Sequence, residues 1–413
     1  MRQFTIASCA LYFLTGLTAI SIGSVMPQLL TYYHVSFTVG GQLIFVGAMG
    51  CLAGVLVSSW LNNHFPPRPL LIFSTLLIAA AQFSILLLPP LPVFMTLYFL
   101  NSAGSSMISI VVATLFIEVF SGRQAVAMSY LEVSFGLGAL TMPVLASLFI
   151  ALDIWRYLFI ITVLFALILA GIWTHIQISN NAQDPGTSGP QDASGAPDTR
   201  PLSSGRKWAI LGLFAFIVFV YGGLEGSLNN FMSSIFIDYL GAVAYTASIS
   251  VGIFWCAMVI GRALTGVIIR KVTYNRYLLM NICGAIISLV LFILMKNLIF
   301  GFIFVATLGL MLSGIYSITL VYANYSIPNS VHLVTPIISG LSGLGAAVFP
   351  AVTGFSIDHS GMMTTLWYLV GMAISYLTML LVIDQIRRRR TFKVFFPHHL
   401  LRPAFASRRM RMK

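Results

Sequence analysis

Apolar residues fill the chain in long runs separated by short polar breaks. Twelve runs stand out, at 4–27, 38–61, 70–89, 92–119, 125–150, 157–177, 208–236, 246–268, 277–295, 298–322, 334–357 and 363–385. A helix rises about 1.5 Å per residue, so roughly 20 residues cross a hydrocarbon layer about 30 Å thick. The pattern therefore predicts an all-α membrane protein with twelve transmembrane helices. The run that begins at Phe4 is longer than the apolar stretch of a secretory signal and has no convincing small-residue cleavage site. It is expected to remain as the first transmembrane helix.

Polar residues divide the chain once. Between the sixth and seventh runs lies a stretch of Asn, Gln, Asp, Pro, Gly, Ser and Thr with Leu202 as its large apolar residue, too polar to bury a core. We expect a flexible linker at 179–206 joining a half at 1–178 to a half at 207–386, with a basic tail at 387–413. The halves also repeat each other. Gly136-Leu137-Gly138-Ala139 with Pro143 in the fifth run recurs 207 residues later as Gly343-Leu344-Gly345-Ala346 with Pro350 in the eleventh. Arg68-Pro69-Leu70-Leu71 recurs at an offset of 208 as Arg276-Tyr277-Leu278-Leu279. Small residues at this spacing let any helices approach closely. Two nearly equal offsets six helices apart add more: two six-helix halves of parallel topology, the arrangement of the major facilitator fold.

Composition sharpens this reading. Of 413 residues, 58% are hydrophobic and 8% charged, and the mean hydropathy is +0.95, which excludes a water-soluble core. The formal net charge of +12 would suggest nucleic acid in a soluble protein, but its placement points elsewhere. Ten of the 22 basic residues lie beyond Asp384, and others occupy alternate loops: Arg2, Arg68, Arg123, Arg200, Arg206, Lys207, Arg270, Lys271 and Arg276 on one side, against Arg156 and Lys296 on the other. Basic loops favour the cytoplasm, so both termini and the linker are expected there, in a cell membrane. Cys9, Cys51, Cys256 and Cys283 are scattered, with no metal-binding or disulfide spacing. No Walker sequence and no hydrolase motif occurs, so neither enzyme chemistry nor a cofactor is expected.

Charges within hydrocarbon call for a function or a partner. Glu132 lies about two turns into the fifth helix. It reads as a binding or proton-carrying carboxylate, or as half of a structural ion pair. Glu225 lies well within the seventh helix, with Asn229 one turn on and therefore on the same face, followed by Asn230. That patch suits a polyol. Gly222, Gly223 and Gly226, with Gly23 at the analogous place in the first half, would also permit local unwinding. Arg262 either snorkels toward the interface or pairs with an acid to latch one conformation. Arg68 and Arg262 are the gating candidates. Trp255 is the aromatic best placed to meet a sugar, and Pro27-Gln28 would bend the first helix and offer an amide to the cavity. Asp153, Asp238 and Asp358 are expected to be solvated at the opposite rim.

Leu131 to Leu140, Tyr221 to Glu225 with Asn229-Asn230-Phe231, and Phe254-Trp255 through Ile260-Gly261-Arg262 together resemble major facilitator transporters, and within them the fucose–galactose–glucose proton symporter family. The resemblance covers nearly the whole chain outside the linker and tail. It implies hexose uptake coupled to inward proton flow, with Glu132 and Glu225 at sugar-contacting positions. Two departures bear on coupling. Gly23 stands where the fucose branch has an acid, and Ser106-Met107-Ile108-Ser109 stands where family members carry one midway along the fourth helix. Proton movement would then fall to Glu132 or Glu225, or the protein would be a uniporter. The expected partners are a sugar, a proton and the lipid bilayer, with the protein acting as a monomer. Proton-coupled export of amphipathic compounds, and a non-transporting sensor that signals through the tail, remain open alternatives.

Overall fold

The computed structural model describes residues 2–62, 64–120, 124–176, 204–327 and 331–395. Most of the expected linker and the end of the tail lie outside these residues. The helices are α1 (Arg2–Ser24), α2 (Met26–Tyr33), α3 (Phe37–Leu61), α4 (Pro67–Leu86), α5 (Leu91–Val119), α6 (Gln124–Ala151), α7 (Leu158–His175), α8 (Ser204–Leu240), α9 (Ala244–Ile268), α10 (Tyr274–Met295), α11 (Leu298–Leu312), α12 (Ile315–Ser326) and α13 (Val331–Phe395). Eleven stretches are long and apolar enough to cross a membrane. The longest, Leu333–Gln385, makes two crossings because Gly361 adopts φ 81°, a left-handed conformation that glycine takes without steric cost. The described chain thus makes twelve passes. α8 already begins at Ser204, inside the segment expected as linker, and α13 runs to Phe395, inside the expected tail.

With no water in hydrocarbon, backbone groups must pair within the helix and small polar side chains find carbonyls nearby. Buried Ser74 and Thr75 do so, donating to Leu70 and Leu71 one turn back at 2.8 and 2.7 Å. Two passes are broken. The first divides between α1 and α2 at Val25 (φ −118°, ψ 18°), because Pro27 has no N–H to return to the preceding turn. The tenth divides between α11 and α12 at Ser313-Gly314. There the carbonyl of Leu312 accepts a hydrogen bond from the Tyr221 hydroxyl of α8 at 2.9 Å, so the broken end is not left unpaired.

The sequence repeat reappears as packing. Gly138 of α6 lies against the carbonyl of Phe13 on α1, and Gly345 of α13 against the carbonyl of Phe219 on α8. The reverse approach is also duplicated, Gly16 meeting the Phe135 carbonyl and Gly222 the Ser342 carbonyl. Each half therefore clamps its first pass to its fifth through the same small-residue seam. This corrects the expectation that the glycines of the seventh pass unwind it. α8 is a continuous helix, and its glycines serve close approach, Gly223 to Phe349 and Gly226 to Ala346. Gly23 likewise faces the backbone of Asn229 and Asn230 across the halves, leaving no room for the acid that the fucose branch carries there.

Candidate functional site

Alternate passes run in opposite directions, so the loops fall on two faces. The linker face carries the start of α1 and the 62–66 and 269–273 turns; the far face carries 34–36, 152–157, 241–243 and Gly361. The halves close on each other toward the far face. Gly41 of α3 packs on Pro350 and Ala351 of α13, and Gly354 on Phe37. The Ser248 hydroxyl of α9 reaches the carbonyls of Ser24 and Pro143 in the other half, at 3.1 and 3.2 Å.

Asp358 ties this closure. α3 has no side-chain cap of its own at Ser36. Instead the Asp358 carboxylate of the other half accepts from Phe37 N at 3.1 Å, Thr38 N at 2.6 Å and the Thr38 hydroxyl at 2.5 Å. An acid at a helix N-terminus satisfies orphan donors and the positive end of the dipole. The expectation of a merely solvated rim acid is thus corrected: Asp358 is exposed yet bound across the halves. Such a cap contributes about 1–2 kcal/mol. Asp358→Ala is therefore expected to shift the population about tenfold toward far-face opening. Cysteine pairs read by crosslinking across Thr38 and Asp358's neighbours would check it, and unchanged crosslinking would refute it.

The intramembrane charges meet nearer the linker face. Arg262 of α9 places its Nη1 3.9 Å from Oε2 of Glu132 on α6, across the interface. The Glu132 side chain reaches the other half and is still 60% exposed. Solvent screening limits this ion pair to about 1 kcal/mol at most. Glu132 also acts electrostatically on Tyr12 of α1, whose hydroxyl donates to the Ser109 carbonyl of α5 at 2.9 Å.

Arg262 also acts on Glu225 of α8. Glu225 sits one turn beyond Tyr221, against that hydroxyl and within the field of the Arg262 guanidinium. Glu225 is half-buried, so charges there interact more strongly than at Glu132. Arg262 thus pairs with a carboxylate of one half and acts electrostatically on a carboxylate of its own half. Its guanidinium carbon also lies 5.6 Å from the Trp255 ring, which meets Phe135 of α6 edge to face at 6.0 Å.

Two polar atoms of this region have no hydrogen-bond partner, Trp255 Nε1 and Asn229 Oδ1. Trp255 is 3% exposed, so its indole N–H is a donor left open in a dry place. The remaining sequence candidates are placed differently. The Asn230 amide is spent on its own helix, donating to the Gly226 carbonyl at 2.8 Å. Gln28 lies in a cavity at the far face, bordered by the closure. Arg68 holds the third pass to the sixth, its Nε donating to the Trp173 carbonyl at 3.0 Å, a contact within one half. Tyr12 escaped the sequence reading, and the contacts of Tyr221 and Asp358 did too, since a tyrosine hydroxyl or a rim acid gives no signal until its partner is known. Tyr221 had one faint mark, its spacing four residues before Glu225.

The sequence profile described as Major Facilitator Superfamily matches residues 8–350. The glucose/mannose transporter GlcP of Bacillus subtilis (strain 168) is 29% identical over 389 residues, covering 92% of this chain and 94% of that protein. Among solved structures, the nucleoside transporter NupG superposes with a TM-score of 0.72 at 12% identity, over 92% of this chain and 98% of its own. A D-xylose-proton symporter superposes with a TM-score of 0.70 at 13% identity, over 91% and 96%. At such identities these two speak for the fold alone.

Proposed function

The chain belongs to the Major Facilitator Superfamily, and from that premise we propose that it takes up a sugar or similar polyhydroxylated solute, coupled to protons, by rocking its halves about a central site. As a member it is a multi-pass membrane transporter, not an enzyme. The observation that carries the proposal is Arg262 paired with Glu132 across the halves and acting on Glu225, with the open indole N–H of Trp255 under its guanidinium and the open amide oxygen of Asn229 one turn beyond Glu225. The cargo in the name of the Bacillus relative supports a hexose. So does the chemistry, since an open indole donor and an open amide acceptor suit hydroxyl groups and not a lipophilic cation.

Basic loops put the linker face in the cytoplasm. The arrangement described above, closed at the far face, then opens inward. Glu225, Asn229 and Trp255 bind the sugar. Glu132, exposed between the halves, exchanges protons with the cytoplasm and competes with Glu225 for Arg262. A proton on either carboxylate frees Arg262 to favour the other, and that choice couples protonation to the closing of the gap. Arg68 steadies the first half and acts on gating only through it.

The test is proteoliposome uptake under an imposed pH gradient. Glu132→Gln and Glu225→Gln are each expected to abolish gradient-driven accumulation. Unchanged pH-dependent uptake in both would end the assignment. Asn229→Ala and Trp255→Phe each remove about one hydrogen bond to substrate, of about 1–1.5 kcal/mol, and are expected to raise KM roughly tenfold with the maximal rate little changed. Initial-rate measurements over a range of sugar concentrations decide this.

A further inference from the structure

A cavity of about 800 Å³ opens on the far face, bordered by Phe37 and Asp358 of the closure and separate from the Arg262 site. Both halves build it. The first supplies Gln28 and Tyr32 from α2 with Asp153 and Trp155 from the turn after α6, and the second supplies Ser234 and Asp238 from α8. Three of its lining side chains are carboxylates, Asp153, Asp238 and Asp358, the last already bound to the start of α3. Among the described residues, the carboxylates of Asp153 and Asp238 have no hydrogen-bond or ion partner. The oxygen Oε1 of Gln28 and the hydroxyl of Ser234 are buried without a partner, Ser234 being 1% exposed. Its aromatic wall is Tyr32 and Trp155, edge to face with ring centroids 6.2 Å apart.

Among the described residues, no basic side chain lines the cavity to balance these carboxylates. The two basic residues of this face are held elsewhere, Arg156 over the Tyr157 ring at 5.0 Å and Lys296 over the Tyr239 ring at 5.2 Å, and neither lines the cavity. A chamber with two unpaired acids, buried open acceptors and aromatic faces has the chemistry that holds an ammonium group, through charge and through the ring quadrupole.

We propose that this cavity is a second ligand site that binds a small ammonium-bearing solute from the far face. Asp153 belongs to one half and Asp238 to the other, so the bound cation bridges the halves where they are already closed. A ligand shifts a conformational equilibrium by its differential affinity for the two states. The solute therefore favours the far-closed arrangement and slows transport without occupying the central site.

The probes are choline and its neutral isostere 3,3-dimethylbutan-1-ol, titrated calorimetrically into the purified full-length protein at fixed ionic strength. Choline is expected to bind saturably and the isostere at least about tenfold more weakly, the difference being the charge. The double variant Asp153→Asn, Asp238→Asn is expected to lose at least about tenfold in choline affinity with its thermal unfolding unchanged. If that variant does not fold, Tyr32→Leu, at a half-exposed position, takes its place with an expected several-fold loss. Absence of saturable choline binding, equal binding of the isostere, or variants that bind choline like the parent would each overturn the proposal. So would competitive displacement of choline by glucose, which would give the cavity to sugar. None of these outcomes depends on Glu132 or Glu225, so this site and the central one stand or fall separately.

Discussion

Arg262→Leu is expected to reduce proton-driven uptake by up to about a hundredfold, because it removes the cation that couples Glu132 of one half to Glu225 of the other, and coupling free energies of about 1–3 kcal/mol correspond to about 5- to 150-fold. The loss falls unevenly on the two carboxylates. Glu132 is 60% exposed and water compensates it. Glu225 is half-buried, and Arg262 is the cation whose field reaches it. Without Arg262, Glu132 and Glu225 have no shared cation to compete for, so protonation no longer drives the closing of the gap, but sugar can still bind. Exchange of preloaded sugar for external sugar should therefore persist where net uptake is lost. Arg262→Lys keeps the charge without the planar fork and is expected to fall between the two. Net uptake and exchange lost in equal measure would mean that Arg262 serves folding or sugar binding and not coupling.

The second large effect is on stability, and it lies in the repeated glycine seam. A Cβ at Gly345 meets the Phe219 carbonyl, and one at Gly138 meets the Phe13 carbonyl. Backbone cannot turn aside as a side chain can, so Gly345→Ala and Gly138→Ala should each force two helices apart at a cost of roughly 1–3 kcal/mol. Gly343 is two residues away in the same motif and has open space around it. Gly343→Ala should be neutral or gain up to about 1 kcal/mol from helix propensity. Thermal unfolding in detergent distinguishes these outcomes. Equal effects at Gly343 and Gly345 would refute the seam, while matched losses at Gly138 and Gly345 would show that the two halves share one packing rule.

Much of this architecture was legible in one dimension. Runs of apolar residues reported twelve passes because hydrocarbon imposes a minimum length on every crossing. The 207-residue offset reported two halves, and the seam glycines it rests on, Gly138 and Gly345, proved to hold equivalent positions. The glycines of the seventh pass misled. Composition alone does not tell a glycine that permits unwinding from one that permits approach, and the neighbouring α13 decides it for Gly222, Gly223 and Gly226. Pro27 gave the bend of the first pass by its missing N–H, whereas nothing around Ser313-Gly314 marked the break in the tenth.

The central site was legible as single residues and not as a site. Glu132, Glu225 and Arg262 each stand out because a charge is rare and costly in hydrocarbon, and cost of that kind is a property of one residue. Their meeting is not. Glu132 and Arg262 come from opposite halves, as do Asp358 and the first turn of α3, and no local pattern records which distant element will face them. The sequence by itself determined the membrane, the number of crossings and the duplicated fold, since these follow from hydrophobicity and repetition along the chain. Only the tertiary structure decided which charges pair, which face is closed and where a second cavity forms. Those depend on how two rigid halves meet, and that contact is made between residues that the chain keeps far apart.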